Sequence, residues 1–169
     1  MVINYLILYP IIIIFSSIFY SIISQNIIGI LFAIGLMIDS IFNMLLKKLF
    51  STFFPNFKLF LRPNPPKIGC SYIPKCNDTE ISYGMPSGHS QSTLTIAVFW
   101  ILYILNNYEM NIYRYLSIGL IIIISFMVLY SRIYIGCHNF LQVLIGSIIG
   151  TVYGIFLYKI VNLYLIDNK

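Results

Sequence analysis

At 169 residues the chain has room for one domain, and its composition sets the solvent: 59% of residues are hydrophobic, 17% aromatic and only 9% charged, where a soluble domain carries roughly a quarter charged residues. That balance excludes a water-soluble globular domain and predicts an all-α fold, a polytopic membrane helix bundle in which residues 1-169 form one membrane-embedded domain. The formal net charge of +5 is scattered or sits beside polar motifs instead of forming a tract, which excludes a nucleic-acid-binding arm and leaves the cations to complement phosphate.

A spanning helix needs about 20 residues, so the chain holds about five. Val2 to Ile23 is apolar apart from serines, an asparagine and tyrosines, and without a positive leader or a small-residue cleavage site it reads as an uncleaved first span. A Ser24-Gln25-Asn26 turn leads to the second span, Ile27 to Phe50. From residue 51 to 85 prolines and polar residues accumulate, predicting a loop outside the membrane. His89 opens a third span to Leu105, Asn106 to Arg114 is a short connection, a fourth span runs from Tyr115 to Tyr130, and a fifth from Phe140 to Ile166. Gly146, Gly150 and Gly154 recur every fourth residue in the fifth span, a pattern that lets helices approach closely.

Two polar clusters interrupt this hydrocarbon: Pro86-Ser87-Gly88-His89-Ser90 and Ser131-Arg132 through Cys137-His138. Such groups are costly in lipid and mark function. Five spans bring the residue 51-85 loop and the Ser131 to His138 connection to one side of the membrane, where the two histidines can meet. Arg62 and Arg132 offer planar forks for phosphate oxygens; Ser87 and the Gly88 amide, at a helix mouth, add donors where the helix dipole is positive. The parts describe a phosphoryl-transfer site. His138 is the candidate nucleophile and His89 the candidate general acid and base. Cys70, Cys76 and Cys137 have no metal spacing, and with two histidines in the chain no metal and no cofactor is expected. Cys137 reads as a small apolar filler. Asp39, Asn43 and Lys47 share one face of the second span, the aspartate being either functional or a buried carboxyl bonded to a neighbouring helix. Tyr83 and Met85 read as packing residues or as a lipid entry.

Arg62-Pro63, the Pro86-Ser87-Gly88-His89 block, and Ser131-Arg132 followed after five residues by His138 resemble the motifs of the type 2 phosphatidic acid phosphatase superfamily. Tyr83 to Gln91, Asn43 to Lys47 and Tyr130 to Tyr134 are most similar to the dolichyl-diphosphate phosphatases within it. The resemblance implies an integral-membrane, metal-independent lipid phosphatase working through a phosphohistidine on His138, with an isoprenoid diphosphate or related lipid phosphate as substrate and the bilayer as its setting. A phosphatidate-type phosphatase, a lipid phosphotransferase and a non-catalytic scaffold with a decayed site are the alternatives; the spans separate the chain from soluble vanadate haloperoxidases, which share the motifs. Oligomeric state stays open.

Two positions depart from the family pattern. An aspartate commonly follows the nucleophilic histidine by four residues, where this chain has Gln142; one helical turn keeps its amide oxygen within reach of the imidazole. The family lysine stands seven residues before the arginine, where this chain has Pro55, leaving Lys47 or Lys58 to contact phosphate. The family orientation puts the active site in the lumen of the endoplasmic reticulum. The acceptor sequence Asn77-Asp78-Thr79 agrees, as would a Cys70–Cys76 disulfide. The lysines and arginines of the catalytic side oppose it under the positive-inside rule.

Overall fold

The computed structural model describes residues 8–55, 57–63, 70 and 83–167. Within them the chain forms five α-helices: α1 (Tyr9–Ser24), α2 (Ile28–Phe53), α3 (Gly88–Asn107), α4 (Ile112–Tyr134) and α5 (Phe140–Asp167), with a 3₁₀ turn at Lys58–Phe60. Local chemistry sets their ends. Pro10 falls in the first turn of α1, where a missing N–H costs nothing. Gln25 closes that helix in the left-handed region at φ 51°. Ser87 caps α3 by accepting from the Ser90 amide, and Asn111 caps α4 by accepting from the Arg114 amide. Gly136, at φ 75°, ends the turn after α4 in a conformation that suits glycine.

The order and number of helices follow the sequence expectation, and three of them, α2, α4 and α5, are long and apolar enough to cross a membrane. The other two depart from it for different reasons. In the described residues α1 has 16 residues, about 24 Å of helix, less than a hydrocarbon core of about 30 Å. The first turns of α3 are polar but buried in protein: His89, Ser90, Gln91, Ser92, Thr93 and Thr95 are all buried. Large apolar side chains such as Phe15, Phe19, Phe126 and Phe140 point outward, as lipid requires and water does not.

Helix α3 occupies the centre, contacting each of the other four. Its partnership with α5 is the closest. A β-carbon placed on Gly146, Gly150 or Gly154 would lie 2.5, 2.1 or 2.9 Å from the carbonyl oxygens of Ser87, Gln91 and Thr95 respectively, so the glycine stripe of α5 lies directly on the backbone of α3. Thr95 Oγ1 donates to the Gly150 carbonyl at 3.2 Å. This fixes the height of α5, and of Gln142 one turn above Gly146, against the mouth of α3. In the opposite half of the bundle Phe32, Phe99 and Trp100 pack ring against ring within an apolar core of Ile28, Leu36, Ile96, Leu157 and Val161.

Candidate active site

The end of the bundle that carries the two polar clusters is built from three segments tied by backbone bonds. Leu61 pairs with Tyr83 in an isolated antiparallel bridge, and the Gly84 amide donates to the Phe60 carbonyl at 2.8 Å, so the Arg62 segment lies along the approach to Ser87. Tyr83 donates its hydroxyl to the carbonyls of Phe54 and Pro55 and Met85 is buried, which makes both residues structural ties. The Ser87 amide donates to the Gln142 carbonyl at 3.1 Å, and the amides of Cys137 and His138 donate to the Arg132 carbonyl at 3.1 and 3.2 Å.

Gln142 is the pivot. Its Nε2 donates to the carbonyls of Leu59 and Leu61 at 3.0 and 2.8 Å, groups that can only accept, so its Oε1 is directed to His138 Nδ1 at 3.0 Å. The tautomer follows: Nδ1 carries the proton and Nε2 the lone pair. Burial, then the Arg62 and Lys47 cations, hold the His138 imidazole well below its ordinary pKa, against the opposing hydrogen bond to Gln142. A neutral imidazole with a free Nε2 has the protonation state of a nucleophile.

His138 and His89 line one cavity of about 300 Å³ together with Lys47, Arg62, Gly88 and Asn43. Nε and Nη1 of Arg62 are buried there without a hydrogen-bond partner among the described residues, which suits a bound oxyanion. Lys47 borders the cavity while Lys58 lies exposed; of the two lysine candidates, the earlier one reaches the site. Ser87 is fully buried, its oxygen accepting from Ser90 Oγ at 2.8 Å, and Arg132 is likewise buried, its Nε donating to Ser131 Oγ at 3.1 Å. Neither lines the cavity, whereas Gly88 does.

Cys137 corrects the sequence reading. It is bonded to Cys70, so it is neither an apolar filler nor is Cys70 left to pair with Cys76. Helix turn geometry after Arg132 aims Cys137 at the Arg62 loop, a relationship that spacing along the chain could not reveal. Cys76 and the Asn77-Asp78-Thr79 acceptor sequence lie outside the described residues. A second feature the sequence left undecided is the fate of Asp39. It is fully buried, its Oδ1 accepting from Gln91 Nε2 at 2.7 Å and its Oδ2 from Ser92 Oγ at 3.1 Å, one of the two options its position in a span allowed.

Comparison with known proteins decides the family. Residues 17–165 match the model of the PAP2 superfamily. The chain belongs to the PAP2 superfamily. Similar proteins include the dolichyldiphosphatase of Saccharomyces cerevisiae, 30% identical over 94% of this chain and 62% of its own length. Human dolichyldiphosphatase 1 is 39% identical over 40% of this chain and 32% of its own length. A dihydrosphingosine 1-phosphate phosphatase of Schizosaccharomyces pombe is 25% identical over 62% of this chain and 26% of its own length. The chain thus spans 62% of the length of the yeast dolichyldiphosphatase. No solved structure gives a significant match.

Proposed function

We propose that this PAP2 protein is an integral-membrane lipid phosphatase that hydrolyses an isoprenoid, dolichyl-type diphosphate through a phosphohistidine. The observation that carries the proposal is the convergence of Lys47, Arg62, Gly88, His89 and His138 on one cavity, with Gln142 fixing the nucleophile's tautomer. Yeast and human relatives named as dolichyldiphosphatases support the substrate class.

The reaction runs in two displacements. His138 Nε2 attacks the terminal phosphorus, forming an N–P bond as the bridging P–O bond breaks, and His89 gives its proton to the departing lipid phosphate oxygen. Arg62 and Lys47 neutralise the non-bridging oxygens, with the Gly88 amide at the positive end of α3; Arg132 and Ser87 act from behind. The neutral His89 then takes a proton from water, whose oxygen attacks the phosphohistidine and releases inorganic phosphate. Positive charge for the transition state comes from side chains, so the chemistry needs no metal. The sphingoid phosphatase among the relatives supports a lipid monoester as the second reading.

We place the active site on the lumenal face of the endoplasmic reticulum. The Cys70–Cys137 disulfide in the cavity wall supports this, since such bonds persist in oxidising compartments. Lys47 and Arg62 serve the cavity and are poor topological witnesses under the positive-inside rule.

The test is phosphate release by the purified protein from a panel of lipid mono- and diphosphates, with and without chelator. The proposal expects release from isoprenoid diphosphate that survives EDTA. Absence of release from every lipid, or an absolute need for a divalent ion, would overturn it.

A further inference from the structure

Asn43 opens the stretch that ends in Lys47 and has no role assigned to it above, yet it borders the cavity at the end of a buried chain of amides. Gln91 Nε2 donates to both the backbone oxygen and Oδ1 of Asp39, at 3.2 and 2.7 Å. A backbone carbonyl only accepts, so the amide cannot be turned the other way. Gln91 Oε1 must therefore face Asn43, whose Nδ2 donates to it at 2.8 Å. Gln91 and Asp39 have no exposed surface, and water cannot substitute for either partner. The polarity of the whole chain is set at Asp39 and, through Gln91 on α3, delivered to Asn43 one turn along α2.

Its consequence is an acceptor where the surroundings are donors. With one Nδ2 hydrogen given to Gln91, Asn43 turns Oδ1 towards Gly88: a β-carbon added there would meet Oδ1 at 2.9 Å but Nδ2 only at 3.8 Å. Ser92, also bordering the cavity, has given its hydroxyl hydrogen to Asp39 Oδ2. An amide oxygen repels a phosphate oxygen, so the Oδ1 that Asn43 presents beside Gly88 calls for a donor and not for the substrate. One turn along the same face of α2 stands Lys47, the neighbour that a helix presents at four-residue spacing, with three ammonium hydrogens to distribute.

We infer that Asn43 is a positioning residue for Lys47: the Asp39–Gln91–Asn43 relay holds the Asn43 amide oxygen towards the cavity, where it accepts one ammonium hydrogen and aims the others at the phosphate. A lysine is a flexible point charge on four methylenes, and the relay supplies the direction that its own stem lacks. The inference rests on the phosphate-binding part of the proposed function and not on the identity of the lipid.

A double-mutant cycle reads it without turnover. Inorganic pyrophosphate is titrated calorimetrically into the detergent-solubilised full chain carrying Asn43→Ala, Lys47→Met, or both. Each single change is expected to weaken binding about ten-fold, the scale of one hydrogen bond to a charged group, and the double variant to bind no more weakly than Lys47→Met alone. Multiplying losses in the double variant, or unchanged binding in Asn43→Ala, would overturn the inference, as would a wild-type chain that binds no pyrophosphate. Should Asn43→Ala fail to fold by its thermal melt, Asn43→Ser is used with the same expectations. Pyrophosphate binding that obeys the cycle without any lipid phosphate hydrolysis would sink the lipid phosphatase reading and leave the relay standing.

Discussion

Gln142 Oε1 lies 3.0 Å from Nδ1 of His138, and the same amide holds the Leu59 and Leu61 carbonyls on either side of the segment that leads into Arg62. One neutral side chain thus sets the tautomer of His138 and the position of the segment that carries Arg62. A carboxylate, which donates nothing, would face those two carbonyls as a repulsive neighbour.

Gln142→Ala should therefore slow turnover more than it weakens substrate binding, by roughly ten- to a hundred-fold for the loss of about 1 to 3 kcal/mol. Gln142→Glu should fail to restore the rate despite supplying an acid. Steady-state kinetics on both variants decide it; a glutamate variant faster than wild type would show that the carbonyl contacts are dispensable.

The Cys70–Cys137 bond closes a loop across 67 residues and joins the Arg62 loop to the His138 connection. The chain-entropy relation puts its contribution at up to about 4 kcal/mol, an upper bound because an unfolded chain held in a membrane is already confined. Cys137→Ser, or reduction, should lower the melting temperature in detergent and reduce turnover together. In sealed vesicles, an impermeant thiol reagent should label Cys70 and Cys137 only after reduction and only from the lumenal side. Labelling from the cytosolic side would reverse the orientation.

A depressed His138 pKa has a definite sign. The unfolded imidazole titrates near 6.5, and in the folded protein burial and the neighbouring cations keep it neutral to well below that value. Below about pH 6.5 the unfolded state binds the extra proton and the folded state does not, so this residue's contribution to stability is complete above that pH and falls as the pH drops. In kcat/KM the acid limb assigned to the nucleophile should likewise fall well below pH 6.5, and Gln142→Ala, which removes the one contact favouring the imidazolium, should shift it lower still. An acid limb at 6.5 that ignores the substitution would assign it to another group.

Much of this was legible in the residues. The hydropathy gave the helix order, and the count of five spans placed His89 and His138 on one side. The glycine repeat of α5 announced a close neighbour, although not that the neighbour would be the backbone of α3 at Ser87, Gln91 and Thr95. The disulfide was hidden because Cys70 and Cys137 meet only through the fold. Lys47 was hard to distinguish from Lys58 because their distance from Arg62 depends on a loop and not on a helix. Asp39 and Asn43 showed their shared face, but Gln91, which links them, lies on another helix, and its amide has meaning only beside the Asp39 carbonyl.

The central claim is that His138 carries the phosphoryl group. Rapid quenching of the enzyme with isoprenoid diphosphate labelled in its terminal phosphate, followed by peptide mapping under alkaline conditions that preserve phosphohistidine, tests it directly. The label should appear on the peptide bearing His138 and be absent from His138→Ala, which should release no phosphate. Full phosphate release by His138→Ala, or a label on a different residue, would contradict it.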